Sequence, residues 1–225
     1  MPAPLSVIIP TLNVANSIGP CLLALTEGIS DGLLAEVIFA DGDSTDDTAQ
    51  IADEVGAHLI VADRGRGSQL AAGAETAKGE WLLFLHADSV LQDGWQAAVL
   101  QHMKQRDRAG YFRLRFDDTS SAAAMVARWA NLRARLFGLP YGDQGLLIRR
   151  AHYVKIGGHP AIPLMEDVAI AKALRGQLRM LDCTILTSAD KYQSQGWWRR
   201  SWRNFMLVAR FKLGADPEKL AKNYR

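Results

Sequence analysis

His86 and Asp88 stand two apart in FLHADS, directly after the apolar run Trp81 to Leu85. An imidazole and a carboxylate so placed can grip a divalent metal ion, or they can decorate a turn. If strand geometry persists through them, both side chains fall on the same side of the chain. Polar residues follow three other apolar runs in the same way. Thr11 and Asn13 come after LSVIIP, Asp41 and Asp43 after AEVIFA, and Asp63, Arg64 and Arg66 after AHLIVA. The adjacent acids Glu166 and Asp167 open MEDVAIAKAL, where taken alone they read as acids favourably placed at a helix N-terminus.

The elements that must position these residues alternate in type. LSVIIP, AEVIFA, AHLIVA and WLLFL read as strands. Val14–Ile29, Asp46–Val55, Ser68–Ala77 and Trp95–Met103 read as helices, with Ser44 or Thr45 a candidate cap for the second. Strand and helix in turn with short connections mean βαβ units, and near-continuous apolar strands fit a parallel sheet buried on both faces. In such sheets ligands bind beyond the carboxyl ends of the strands, where all four polar sets lie. The second half is less regular. GYFRLRF, QGLLIRR and Leu178–Leu186 are strand-like; Ala122–Phe137, Met165–Leu174 and Gln195–Gly214 are helical.

The composition bounds the class. The chain has 225 residues, 48% of them hydrophobic and 22% charged, which suits one soluble α/β domain with a small appendage. Two cysteines, Cys21 and Cys183, are too few and too far apart for a disulfide scaffold or a CxxC zinc site, so a reduced, cytoplasmic setting is expected. MPAPLSVIIP has no basic segment ahead of a long apolar run, so no secretory signal is expected, and no stretch approaches the roughly 20 apolar residues that span a bilayer. From Asp190 onward there are nine Lys/Arg against three Asp/Glu, leaving 17 against 21 in the rest. A basic, Trp-rich tail on an acidic body hints at an anionic partner such as a membrane surface. PTLNVANS lacks the glycine-rich dinucleotide turn, GRGSQL lacks its third glycine, and no GxxxxGK[ST] loop is present, which counts against dehydrogenases and P-loop enzymes.

SVIIPTLN, VIFADGDSTDDT, FLHADS, a GG pair and MEDVAIAKAL, in that order, resemble the family 2 glycosyltransferases over nearly the whole chain. GRG…AAGA…KGEWLLFLHAD, YGDQGLLIRR, IPLMED and the closing LGADPEKLAKNYR look like a bacterial subfamily named for arsenosugar biosynthesis or for association with radical-SAM/selenodomain proteins. The resemblance implies the GT-A fold: α/β, with a mostly parallel central sheet flanked by helices. The expected organisation is a transferase domain over 1–190, with a nucleotide half to about 90 and an acceptor half beyond, and a helical extension over 191–225. It implies a metal-dependent, inverting transfer of a hexosyl-type sugar from a UDP- or GDP-linked donor to a small-molecule or lipid acceptor, with no nucleic-acid partner. A non-catalytic sugar-nucleotide-binding protein and a nucleotidyltransferase on a related sheet are the alternatives.

The resemblance also distributes roles. Pro10, Thr11, Asn13 and Asp41 would hold the base and ribose, while Asp43 reads as a helix-entry residue. His86-Ala87-Asp88 stands where the family has Asp-x-Asp, so Asp88 would ligate Mn²⁺ or Mg²⁺, and His86 would touch the metal or donor or merely orient Asp88. Arg66, and less so Arg64, could pair with diphosphate oxygens. Asp167 would be the general base, assisted by Glu166. Asp143, Gln144, Gly157 and Gly158 would line the acceptor side.

Trp198, Trp202, Phe205 and Ala209 form an apolar stripe at helical spacing, with Arg199, Arg203 and Arg210 beside it. The stripe is expected to pack on the core. The alternative is peripheral contact with a membrane, Trp and Arg lying at headgroup level. QGWWRR does not reproduce the Gln-x-x-Arg-Trp motif of some relatives, so processive polymerisation is not expected.

Overall fold

A computed structural model describes residues 3–222, leaving Met1, Pro2 and the last three residues of the LGADPEKLAKNYR motif outside the description. The chain runs β1 (Leu5–Thr11), α1 (Gly19–Ser30), β2 (Leu34–Asp41), α2 (Thr48–Glu54), β3 (His58–Val61), α3 (Arg66–Thr76) and β4 (Trp81–Phe84). It continues β5 (Ser89–Leu91), α4 (Trp95–Met103), β6 (Ala109–Phe116), α5 (Ser121–Phe137), a 3-10 turn at Gly142–Gln144, β7 (Leu146–Arg149) and α6 (Arg150–Lys155). It closes with α7 (Glu166–Ala173), β8 (Leu178–Thr187), α8 (Asp190–Gln195), α9 (Trp197–Lys212) and α10 (Pro217–Lys222).

One mixed sheet orders its strands β3-β2-β1-β4-β7-β6-β8-β5. From β3 to β4 all pairings are parallel, so Thr11, Asp41, the residues after Val61 and those after Phe84 meet at one edge. β7 turns antiparallel to β4, and β6 and β8 are again parallel to each other. Alternation decides which face each side chain serves. Val7, Ile9 and Leu83 join one core layer with α1 and α4, while Ile8, Leu82 and Phe84 join the other with α3, α7 and α9.

The sheet cannot be flat. Only Leu85–Asp88 separate β4 from β5, yet the strand order places β5 four positions away. Four strand spacings come to roughly 19 Å, whereas five extended residue steps reach at most about 18 Å. The link is not even extended, since the Ser89 N–H donates to the His86 carbonyl at 3.1 Å. The sheet therefore curls until β5 packs on α1, with Leu85 and Leu91 in the same core layer.

Two expected boundaries move for local reasons. The first helix begins at Gly19, not Val14, because Pro20 suits a first turn; Val14 to Ser17 instead form a tight turn closed at 2.9 Å. The second begins at Thr48, and neither Ser44 nor Thr45 caps it; the Asp46 carboxylate takes the Thr48 N–H at 3.1 Å.

The start of α3 packs on the segment that leads into α7. A Cβ on Gly67 would lie 2.1 Å from the Pro160 carbonyl oxygen and 2.8 Å from that of Ile162. Backbone cannot yield as a side-chain tip would. Gly67→Ala should therefore cost about 1–3 kcal/mol and lower the thermal midpoint by several degrees. A Gly19→Ala control, with nothing within 4 Å of the added carbon, should change it little; equal midpoints in calorimetry would contradict the packing described.

Candidate active site

The carboxyl edge of the sheet opens into a pocket of about 270 Å³. The β4–β5 turn supplies His86 and Asp88, the 3-10 turn Gly142 and Asp143, and the first turn of α7 Glu166 and Asp167. Arg66 comes from the start of α3. The far wall comes from α8 and α9, with Lys191, Tyr192, Gln195, Arg200 and Arg203. Among the expected site residues, the pocket thus gathers Arg66, His86, Asp88, Glu166 and Asp167. It does not gather Pro10, Thr11, Asn13 or Asp41.

Asp167 is held by backbone. Its Oδ2 accepts the Gly142 N–H at 3.0 Å and its Oδ1 the Val168 N–H at 2.7 Å. Each oxygen keeps a further lone pair. Met165, just ahead of α7, sits at φ 70°, which turns the chain so that both acids enter the first helical turn. Glu166 is 1% exposed and meets Arg66 Nη1 at 3.5 Å. Burial, and then the charge of Asp167, push its carboxyl above the ordinary carboxylate range, with Arg66 opposing.

His86 Nε2 is buried without a hydrogen-bond partner among the described residues. Desolvation, then the positive charges of Arg66 and Lys191, hold its pKa well below the usual imidazole value, so the ring is neutral and has a lone pair to offer. Gly142 lets it lie close: a Cβ there would fall 2.5 Å from His86 Nε2. Beneath the turn, the Cys21 thiol donates to the His86 carbonyl at 3.8 Å, and burial, reinforced by Asp88, pushes its pKa to about 12. Among the described residues no three His, Cys, Asp or Glu side chains converge to hold a metal unaided. A neutral imidazole and a carboxylate in one pocket nevertheless fit an ion that takes its remaining ligands from phosphate and water.

The residues expected at the base form a clasp beside this pocket. Thr11 Oγ1 donates to Asp41 Oδ1 at 2.8 Å, and the Ser44 N–H donates to Asp41 Oδ2 at 2.7 Å. Asn13, at φ 53°, accepts the Thr45 N–H at 2.8 Å, while its own N–H donates to Ser44 Oγ at 2.9 Å. Pro10 sits in register with Ala40 on the parallel pair β1–β2. Gln69, buried on α3, ties the ends of both strands by donating to the Thr11 and Ala40 carbonyls at 2.7 and 2.8 Å. Nothing in its sequence surroundings singles it out.

Several expectations are corrected. Asp43 is not a helix-entry residue; it is exposed, at φ 68°, and paired with Arg64 at 3.4 Å. Arg64 also donates to the Gly42 carbonyl at 3.0 Å, so it fastens that turn and does not face the pocket. Gln144 is fully buried and donates to the Phe112 carbonyl at 3.2 Å, and Gly158 packs on Tyr153; neither they nor Gly157 line the pocket, whereas Asp143 does. The aromatic stripe does not pack on the core. Trp198, Trp202 and Phe205 are 62%, 66% and 54% exposed, and α9 buries Arg200, Leu207 and Val208 instead.

Asp143 carries a pH signature. Burial, with Asp167 and Asp88 adding to it and Arg133 and Arg66 opposing, raises its pKa from 3.8 to about 6. The folded state thus holds the proton more tightly than the unfolded chain. Its contribution to stability falls as pH rises from about 4 and levels off above about 6. Asp143→Asn should match the wild type in thermal midpoint near pH 3.5 and exceed it by a gap that opens between pH 4 and 6. A gap independent of pH would contradict the burial of this carboxyl.

The family model described as glycosyl transferase family 2 matches residues 6–150. A PGL/p-HBAD biosynthesis glycosyltransferase of Mycobacterium tuberculosis is 39% identical over 101 residues, covering 41% of this chain and 39% of that protein, so well under half of the relative is spanned. Two solved structures share the fold at low identity. Staphylococcus aureus TarS 1–349 with UDP-GlcNAc superposes at TM-score 0.66 and 17% identity over 82% of this chain and 58% of that one. Glucosyl-3-phosphoglycerate synthase from M. tuberculosis, with Mn²⁺, UDP and phosphoglyceric acid, superposes at 0.61 and 16% over 95% and 80%. With the mixed, curled sheet and a charged pocket at its carboxyl edge, the chain belongs to glycosyl transferase family 2.

Proposed function

We propose that this chain is an inverting glycosyltransferase that moves a hexosyl-type sugar from a UDP- or GDP-linked donor to the hydroxyl of a small-molecule or lipid acceptor. One observation carries the reading. In a family 2 chain, a backbone-anchored carboxylate (Asp167), a candidate metal pair (His86 and Asp88) and a cationic wall (Arg66, Lys191, Arg200) share one pocket. Single displacement needs a base on the acceptor side, which Asp167 supplies, and charge neutralisation on the diphosphate, which the other two supply, in fixed mutual geometry.

Asp167 takes the acceptor's proton through a lone pair that its two backbone bonds leave open. The acceptor oxygen bonds to the anomeric carbon as the bond to the diphosphate oxygen breaks, and that electron pair leaves with the nucleotide. Arg66 faces the departing phosphate, and Glu166 holds the guanidinium in place from the buried side. Asp88 and His86 would hold Mn²⁺ or Mg²⁺, which supplies a Lewis acid for the phosphate charge. The Thr11–Asp41–Ser44 clasp shapes the floor for base and ribose, together with Pro10 and Asn13. Asp41 spends most of its acceptor capacity within the clasp, keeping one lone pair on Oδ2 for a base N–H.

The C-terminal helix supports a peripheral membrane contact. No helix among the described residues is long and apolar enough to cross a membrane, but α9 presents exposed Trp198, Trp202 and Phe205 beside exposed Arg199 and Arg210. Tryptophan and arginine suit the headgroup layer.

Asp167→Asn should lose transfer by about 10²-fold or more and still show a thermal shift with the same UDP- or GDP-sugar and Mn²⁺ as the wild type. Turnover within a few-fold of wild type would refute the base assignment. For the membrane contact, the wild type should co-sediment with phosphatidylglycerol vesicles at low salt, less at 0.5 M salt, and Trp198→Asp/Trp202→Asp should stay in the supernatant. No co-sedimentation of wild type at low salt ends that part of the reading.

A further inference from the structure

A second concavity, of about 290 Å³, lies between α5 and α9. Trp129, Phe137 and Phe205 make its outer walls, so it is mostly apolar. Its inner end shares Tyr141, Asp143, Tyr192 and Asn204 with the active-site pocket. The two spaces therefore adjoin across one wall.

Three buried polar atoms of its lining residues have no hydrogen-bond partner among the described residues: Arg133 Nη2, Ser201 Oγ and Asp143 Oδ1. Buried polar atoms are seldom left so, and here a donor, a hydroxyl and an acceptor belong to residues that line one groove. Arg133 is not loose. Its Nε donates to the Leu139 carbonyl at 3.1 Å and its guanidinium lies 3.3 Å over the Tyr141 ring. A fixed side chain with a spare donor is a preorganised contact for a ligand oxygen.

We propose that this groove is the apolar subsite of the acceptor. It takes the alkyl or aryl portion of an amphiphile whose hydroxyl-bearing end reaches past Tyr141 and Asp143 toward Asp167. This rests on the glycosyl-transfer reading and adds the acceptor's class to it. Two other occupants fit less well. A second copy of the chain would bring together two faces whose helices, α5 and α9, carry eight Arg or Lys and no Asp or Glu; like charges in that number repel. A wholly polar acceptor would leave Trp129, Phe137 and Phe205 without an apolar partner.

Octyl β-glucoside below its micellar concentration is a suitable probe, with methyl β-glucoside as the tail-free control and calorimetric titration as the readout. The octyl compound should bind at least about ten-fold more tightly, the gain expected from burying two methylenes. Ala209→Phe, which fills the groove from α9, and Phe137→Asp, on its exposed rim, should each erase that preference while keeping the wild-type thermal shift with nucleotide and Mn²⁺. Equal affinity for the two glucosides overturns the proposal. So does an octyl preference that survives both substitutions, since the alkyl chain would then be coating the outer tryptophans. If no UDP or GDP species with Mn²⁺ shifts the wild type, the transfer reading fails and the acceptor role falls with it, even where the groove binds the probe.

Discussion

The four residues between β4 and β5 set the shape of the site. A link too short to cross a flat sheet forces the curl, and the curl carries the end of β8 round to the same edge as β1, β2 and β4. Without it, α8 and α9 would follow β8 away from the pocket, and Lys191, Arg200 and Arg203 could not face Asp88. The His86-Ala87-Asp88 turn is thus both a candidate ligand pair and the hinge of the architecture. Burial of Leu85 and Ala87 on one side, with Cys21 beneath the His86 carbonyl, leaves the two polar side chains of the turn directed to the pocket.

The pocket is electrostatically unfinished. Asp88, Asp143, Glu166 and Asp167 stand within mutual reach, and the raised proton affinities of Glu166 and Asp143 record the cost of gathering them away from water. Arg66 offsets part of it at Glu166. Burial, and then the positive charges of Arg66 and Lys191, keep His86 neutral. Such a site favours ligands that bring compensating charge of both signs. A divalent cation with a diphosphate would do so, the cation on the acids and the phosphates on the basic wall.

Much of this was legible in the sequence because it depended on local pattern. Near-continuous apolar runs identified β1, β2 and β4, and their polar sequels pointed to the carboxyl edge. Glu166 and Asp167 could be placed at a helix start from the run that follows them. What could not be read depended on which distant residues meet. Nothing near Gln69 says that it ties two strand ends, and nothing near Gly142 says that its N–H orients Asp167. Arg64 and Arg66 are two residues apart with similar surroundings, yet one fastens a turn and the other enters the pocket. The short strand β5 was hidden for the same reason: three residues carry no period, and its existence depends on β8 returning beside it.

The reversed orientation of α9 follows a further rule. An amphipathic helix ordinarily turns its apolar stripe inward because the interior is the apolar side. The space beneath α9 is the charged pocket over part of its length, so the inward positions are Arg200, Arg203 and Asn204, with Leu207 and Val208 taking over where the helix passes onto the core. The aromatic stripe is then displaced to the outside by the demands of the site. Water is a poor environment for Trp198, Trp202 and Phe205, and an exposed apolar face of this kind ordinarily marks a surface meant to be covered. The chemistry that turns the polar face in is therefore also what turns an aromatic face out. Helix α5 borders that face and carries its own exposed Trp129 and Phe137. Site and surface are in this sense one design decision, made by a single helix with two working sides.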